Sequence, residues 1–521
     1  MSTSLDTDVV IVGYGPVGQT LAALLASEGH SVAVYERFSG LYELPRAVYF
    51  DDEIMQVWQS LGIAEEIDAV PIKTYHWFGA DGETIFALQH PEAGPSGWDP
   101  GYCFYQPSLE RALDRAVRAL PAATVECGWS AEALEQADDH VELTLRRVRE
   151  PQIGILEPTA ETRTVRARYV VGADGANSFV RTAAGIEFED QGFAESWLVV
   201  DLRPDDVEAL SYLPAPCQWC DPARPHMHTV NGRAHRRFEF MLLPGERPAD
   251  FADEARVWEM LAPWFTPDDG AIVRHAVYEF RARLADTMRA GRALLAGDAA
   301  HTMPPFMGQG LCSGVRDAAS VAWRLDLVLR GAGGDELLDA YTTERRPQNE
   351  WIVNLSAEMG RVSCTLDPQL AAERDAALRA AAAPPPLALP PLADGTVAAG
   401  RPLAGSRAVQ GTVRVGRREG RFDDVVGKGF VLLARRAADL PAPHEAFPER
   451  LGALAVGLDQ LEDLDGRLAA WFDEHGLVAV LVRPDGYVFG AVEAIGDLPA
   501  LLADLRSHLS ITDSRITANV H

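Results

Sequence analysis

Asp8-Val9-Val10-Ile11-Val12-Gly13-Tyr14-Gly15-Pro16-Val17-Gly18 is the stretch on which the fold turns. Its apolar first half reads as a buried parallel strand. The glycines follow at once, and a helix follows them. Val17, Leu21, Leu24 and Leu25 share one face of that helix, and Gly29 suits its C-terminal end. A second strand, Ser31 to Tyr35, ends at Glu36, with Arg37 beside it. A β-α-β unit with an acid about 20 residues past the glycines matches the dinucleotide fingerprint. Gly13 permits the tight turn, Gly15 lets backbone approach a pyrophosphate, and Gly18 lets helix and strand pack. Pro16 and Val17 begin a helix whose N–H groups favour phosphate. Glu36 is placed to accept from a ribose diol.

A second signature lies far downstream: Gly297-Asp298-Ala299-Ala300-His301, then Pro304, Pro305 and Gly308-Gln309-Gly310. It opens a long helix with Val315, Ala319, Ala322 and Leu325 inward. Two nucleotide signatures in this order describe one extended dinucleotide, FAD, held at both ends by distant parts of one fold.

The 521 residues suffice for two or three domains, and 47% hydrophobic residues suffice for a large core. No run approaches the roughly 20 apolar residues of a membrane span. The N-terminus has neither a basic region nor a cleavable apolar stretch, so a cytoplasmic location is expected. A net charge of −29 argues against nucleic acid or an anionic membrane as partner. Six cysteines in this length are no disulfide scaffold. Cys217-Gln218-Trp219-Cys220 has redox spacing but no second pair. His226 and His228 share a strand face but lack a third ligand, so no metal is expected.

Residues 105–120 read as a helix, and Val141 to Arg149 and Tyr169 to Gly175 as strands. Residues 185–285 carry strand-like aromatic stretches. Residues 382–392 form a proline-rich linker. Beyond it, strands are expected at Phe430 to Leu433 and Leu477 to Val482.

A third motif, Gly172-Ala173-Asp174-Gly175-Ala176-Asn177-Ser178 with Val180-Arg181, completes a trio that resembles the single-component FAD-dependent aromatic hydroxylases of the p-hydroxybenzoate hydroxylase fold. Pro45-Arg46-Ala47, Asp51-Asp52-Glu53, Cys220 to Pro225, Arg236 to Met241 with Pro244-Gly245-Glu246, and Glu344-Arg345-Arg346 are similar to the 3-(3-hydroxyphenyl)propionate hydroxylases. The resemblance implies an α/β chain: a Rossmann-like FAD-binding domain over 1–385, interleaved with a substrate sheet at about 76–100 and 185–285. A thioredoxin-like domain without CxxC would follow over 386–521.

It further implies that NADH or NADPH reduces FAD and that O2 supplies an oxygen atom to a phenolic ring. Arg46 and Gln106 would contact the phosphates and ribityl chain, and Asp298 the ribose or pyrophosphate. Asp174 and Arg181 would shape the cofactor site. Pro305, Gly308, Gly310 and Leu311 would face the flavin, where a helix dipole stabilises the reduced ring. His301 is the candidate base for the phenol. Tyr49, Trp219, His226, Met303, Phe306 and Met307 are candidate pocket lining. A larger polyketide-derived phenol remains an alternative substrate, a non-catalytic flavin-binding partner an alternative function, and a homodimer is admitted. A flavin halogenase would need a catalytic lysine and a Trp-x-Trp-x-Ile-Pro stretch, which is absent. A nicotinamide dehydrogenase would leave the second signature unexplained.

Overall fold

The computed structural model describes residues 5–152, 154–208, 210–381, 387–441, 447 and 451–510. Strand Thr7–Val12 sits inside a parallel sheet, and Val9, Val10 and Ile11 are fully buried, which is why the run is apolar without alternation. It pairs with Val32–Glu36 on one side and the end of Ile155–Gly172 on the other. Ala123–Cys127 and Ala293–Leu295 extend the sheet in parallel at its two sides.

Helix Pro16–Ser27 packs against the long helix Gly310–Leu329. Val17 is the contact: a Cβ on Gly314 would stand 2.6 Å from it, and one on Gly297 3.1 Å. Glycine at both positions therefore lets the two nucleotide signatures meet.

The expected helix at 105–120 is Gln106–Arg118, and the strand at Val141 continues to Gln152. That strand forms a long antiparallel hairpin with Ile155–Gly172, from Val141↔Ala167 to Gln152↔Ile155.

A second eight-stranded sheet runs His301–Thr302, Gly270–Ala285, Phe188–Pro204, His235–Met241, His226–Asn231, Cys217–Trp219, Thr74–Phe78, Thr84–Gln89. It reaches past the two inserted stretches expected from sequence, because the short strand His301–Thr302 pairs with Arg283 and Leu284. The second signature is thus tied directly into this sheet. On one face Phe238, Phe240, Leu198 and Val200 pack under helix Glu254–Leu261. On the other, Trp77, Trp197 and Met241 pack against Phe306 and against Val353 and Ala357 of helix Glu336–Ser363.

Residues 387–392 carry no regular element, and 382–386 of the proline-rich stretch lie outside the described residues. Beyond them a four-stranded sheet runs Leu454–Gly457, Val431–Ala434, Ala479–Val482, Val488–Val492. Its first pair is parallel, and the rest are antiparallel. Helix Leu498–His508 packs on the last strand. Among the described residues no helix is long and apolar enough to cross a membrane.

A fully buried ion cluster locks this C-terminal unit to the rest. Glu344 pairs with Arg324 at 2.6 Å and with Arg483 at 2.8 Å, and it accepts from the Thr396 N–H at 2.7 Å. Arg483 also binds Asp485, which takes the indole N–H of Trp323 at 2.9 Å. Glu344→Gln leaves two buried guanidiniums sharing one carboxylate, a loss of about 3–5 kcal/mol for a broken buried pair. Urea unfolding followed by tryptophan emission should show it, and an unchanged midpoint would refute the clamp. Burial works to raise Asp485, yet Arg483 overcomes it and holds Asp485 down at about 2. Glu344 is likewise lowered, against burial, by Arg324 and Arg483. Both carboxylates therefore stabilise the fold above the ordinary carboxylate range, and that support is lost as pH falls through their lowered values, about 2 for Asp485.

Candidate active site

The first signature builds a cradle. Gly13 has φ +102°, and its N–H donates to Tyr35 O at 2.8 Å. A Cβ on Gly18 would stand 2.2 Å from Gly13 O, so only glycine lets the helix start this close to the turn. Gly15 is different. Its backbone is extended, with φ −73° and ψ −179°, and a Cβ there would meet no protein atom within 4 Å. Neither strain nor packing requires glycine at 15; the open space in front of it does. No side chain caps the helix that follows, and Pro16 begins it. Its first N–H groups thus face the same space.

Glu36 ends its strand at the rim. Oε2 accepts from the Tyr14 N–H at 2.8 Å and Oε1 from the Phe38 N–H at 3.0 Å. The carboxylate is fixed in place with lone pairs left over for a ligand. Arg37 is exposed and lies over Phe38.

Arg46 is exposed beside the cleft, its guanidinium 4.3 Å from the Tyr42 ring centre. Gln106 shapes its loop: Oε1 accepts from the Arg46 and Ala47 N–H groups at 2.9 and 2.7 Å, and Nε2 donates to Glu110 at 2.6 Å. The substrate sheet holds the same loop. Arg237 binds Asp201 through Nε at 2.7 Å and donates to Arg46 O at 2.6 Å and Pro45 O at 2.8 Å. Arg274 also donates to Pro45 O. The sequence reading quoted Arg237 only for its resemblance; its burial and partners show what it does.

Asp298 lies in the turn Gly297–Ala299 and is exposed. Its side chain is solvent-accessible, yet protein encloses it closely enough that burial pushes its carboxyl up, against the pull of His301 and Arg46. Further on, Pro305–Met307 forms a single turn that ends at Gly308 with φ +65°. A Cβ on Gly308 would stand 2.7 Å from the Tyr49 ring. A Cβ on Gly310 would meet only Met303, at 3.9 Å. Gly310, like Gly15, faces open space. It begins helix Gly310–Leu329, whose first turn no side chain caps and whose next residue, Leu311, is half-buried.

In the third motif Asp174 is spent locally. It accepts from the Phe179 and Val180 N–H groups at 2.7 and 3.2 Å and from Ser178 Oγ at 2.5 Å. Arg181 donates to Ala299 O at 3.0 Å and so stitches this motif to the second signature.

His301 is fully buried. Its Nε2 lies 2.6 Å from Asp317 Oδ2, and Nδ1 has no partner. Asp317 also takes the Gly297 N–H at 3.1 Å and pairs with Arg345 at 3.0 Å. Burial would raise Asp317, but His301 and Arg345 together hold it low. Asp317 thus occupies the Nε2 edge of the ring, and the Nδ1 edge is buried.

The pocket candidates divide by sheet face. Phe306 meets Trp197 edge-on at 5.5 Å, and Met303 joins the same cluster. Tyr49 lies between Gly308 and Gly101. Met307 follows Phe306 in the same turn and is half-buried. Trp219 and His226 are on the opposite face. They are paired across their strands, and His226 stacks with Trp219 at 5.7 Å and meets Trp264 at 5.0 Å, under helix Glu254–Leu261. They do not line the cleft, because the register puts them in line with Phe240 and Leu198. Cys217 and Cys220 are buried thiols, each pushed up to about 12 by burial.

Two titratable residues, Glu239 and Tyr75, lie on the sheet face that carries Trp197 and Met241. Glu239 stands between Val199 and Met227 in register and is 4% exposed. Burial pushes its carboxyl up despite Arg237 Nη1 at 3.5 Å, since Arg237 is already engaged by Asp201. Tyr75 lies close enough for the Glu239 charge to add to the burial that raises its phenol.

Residues 6–356 match the family described as FAD binding domain, and residues 405–508 match the HcaD C-terminal domain. The chain is 39% identical over 526 residues to a probable NADH-specific resorcinol 4-hydroxylase of Rhodococcus jostii, covering 98% of this chain and 96% of that protein. It is 33% identical to a 3-(3-hydroxy-phenyl)propionate/3-hydroxycinnamic acid hydroxylase of Mycolicibacterium gilvum, covering 94% and 90%. Among solved structures, aklavinone-11 hydroxylase in complex with FAD and aklavinone superposes with a TM-score of 0.79 at 25% identity, over 98% of this chain and all of that one.

Proposed function

The chain belongs to the FAD-dependent aromatic monooxygenases, and we propose that within this family its substrate is a small uncharged phenol of the resorcinol type, oxidised with NADH and O2. The observation that carries this is 39% identity along 98% of the chain to a resorcinol hydroxylase named as NADH-specific. The site agrees with it. Trp77, Trp197, Met241 and Phe306 form an apolar aromatic wall, and Glu239 supplies an acceptor for a hydroxyl. Beside it Arg237 is consumed by Asp201 and two backbone carbonyls, so it has little left for a substrate carboxylate.

FAD fits the cradle, because Gly15 and Gly310 are glycines whose missing Cβ atoms would fill the space a ligand needs. In this reading Gly13, Gly15, Pro16, Val17 and Gly18 take the pyrophosphate and Glu36 the adenosine ribose. Arg46 and Asp298 flank the phosphates and ribityl chain. The N–H groups at Gly310 and Leu311 would hold the flavin ring. FAD, when bound, supplies the redox and oxygen-transfer chemistry. The protein's own tasks are to orient the phenol, exclude water behind the aromatic wall, and take the phenol proton. In this reading Glu239, on the sheet face that carries Trp197 and Met241, takes that proton in preference to His301, whose Nε2 is engaged by Asp317. His301 is a positioning residue that holds the second signature through Asp317.

We read the C-terminal unit as thioredoxin-like, supported by its strand order and its terminal helix; it holds no cysteine, so thiol redox chemistry is not its task.

The test is aerobic NADH oxidation with resorcinol and with 3-(3-hydroxyphenyl)propionate in parallel, with product masses from the same tubes. Resorcinol should accelerate oxidation and yield a product one oxygen heavier. Turnover of the propionate alone would refute the substrate proposed. The likeness to aklavinone-11 hydroxylase favours a second reading, a polycyclic phenol. That reading gains if neither small phenol stimulates oxidation and a hydroxyanthraquinone does.

A further inference from the structure

We propose that the C-terminal unit is part of the flavin site: Arg407 is a positioning residue that sets the uncapped first turn of helix Gly310–Leu329. This rests on the FAD reading above and goes beyond it, since it gives the C-terminal unit a share in tuning the cofactor.

The connection is continuous and buried. Gln309 precedes the helix and is 1% exposed. It does not cap the turn; its side chain is pinned from behind instead. Nε2 donates to Asp51 Oδ2 at 3.2 Å, and Oε1 accepts from Arg316 Nη1 at 3.0 Å. Arg316 binds Asp51 as well, and its Nε reaches Glu53 Oε2 at 2.7 Å. The other oxygen of Glu53 pairs with Arg407 Nη1 at 3.3 Å. Arg407 is held in turn by Gln56 Oε1 at 2.7 Å and by Asp485 O at 2.6 Å, and it lies over the Tyr487 ring. Four side chains therefore link the C-terminal unit to the residue before Gly310.

Charge makes the link consequential. The N–H groups of the uncapped turn stabilise negative charge in front of them. Their aim depends on Gln309, and Gln309 depends on how Arg316 divides between Asp51 and Glu53. With Arg407 removed, Glu53 keeps one cation and draws Arg316 towards itself and away from Gln309. The reduced ring, which carries the charge, should lose more than the oxidised ring.

The experiment uses the full-length flavin-loaded protein and three variants. Arg407→Gln keeps a donor for Asp485 O and removes the charge, Arg407→Lys restores the charge, and Lys428→Ala is a control. Lys428 bridges the same two units through Ser60 Oγ at 3.0 Å, and its charge acts on Asp423 and Arg407 rather than on Glu53 or Arg316. The readouts are the FAD midpoint potential and the dissociation constants of oxidised and reduced FAD. Arg407→Gln should weaken reduced FAD about tenfold more than oxidised FAD, which for two electrons is a fall of about 30 mV. Arg407→Lys should recover most of that shift, and Lys428→Ala should show none. A wild-type potential in Arg407→Gln overturns the inference, as does an equal shift in Lys428→Ala, which would reveal general domain docking. If Arg407→Gln does not fold, Glu53→Gln breaks the same path from its other side and must shift the potential. A wild-type chain that takes up no FAD would sink the cofactor reading itself.

Discussion

Gly13→Ala should yield a protein without bound flavin and with a lowered melting temperature. The new Cβ would stand 2.3 Å from Ala173 O, 2.7 Å from Ala173 C and 2.9 Å from Asp174 Cα. All three are backbone atoms, and none can rotate away. The two segments are also cross-linked by the Ala173 N–H, which donates to Val12 O at 2.8 Å, while the Gly13 N–H ties the turn to Tyr35 O on the other neighbouring strand at 2.8 Å. Alanine must further adopt φ +102°. Overpacking costs about 1–3 kcal/mol, and the disfavoured backbone adds about 1–3 kcal/mol. The turn can relax only by leaving the position from which it faces the pyrophosphate.

Gly15→Ala separates the two consequences. Its Cβ meets no protein atom within 4 Å, and its backbone suits any residue. The apoprotein should melt as wild type does while flavin per chain falls sharply. Retention of a full flavin complement by Gly15→Ala would mean that the open space is not where the cofactor lies.

The contrast between these glycines shows what sequence alone could carry. The β-α-β unit was legible because its signals are local: an apolar run, fixed glycine spacing and one acid at the strand end. Whether a glycine serves a tight turn or a ligand is a matter of what stands across from it, and Ala173 lies far along the chain. Trp219 and His226 show a second limit. Alternation divides a strand into two faces, but only register with Phe240 and Leu198, and a covering helix at Glu254–Leu261, decides which face meets the cleft. His301 belongs to the second signature. Its orientation is set by Asp317, on the next helix, and by Arg345, on the one after. Arg407 carries no motif at all, and only the docking of the C-terminal unit brings it to Glu53.

Glu239→Gln should lower hydroxylation by roughly 10²-fold or more, the lower range for loss of a general base, while phenol-stimulated NADH oxidation continues and its electrons appear as hydrogen peroxide. A phenol attacks as its oxygen sheds a proton, and in the proposed function Glu239 Oε receives it. The carboxylate is 4% exposed on the cleft-facing side of the sheet, between Val199 and Met227. Burial raises its affinity for a proton, which brings a carboxyl closer to the strength the transfer needs. Only the ionised form accepts, so hydroxylation should fall as pH drops through the raised value and recover above it. Glutamine should flatten that acid limb.

The competing account makes Glu239 a mere counter-ion for Arg237. Arg237 keeps its two-point pairing with Asp201 and its two carbonyls in the variant, so the Arg46 loop should hold and flavin content should stay at wild type. Loss of flavin together with loss of activity would favour the counter-ion. Full flavin, undiminished NADH oxidation and peroxide in place of product would place the phenol proton on Glu239. A Glu239→Gln enzyme that hydroxylates at the wild-type rate would overturn the assignment of the phenol proton to Glu239.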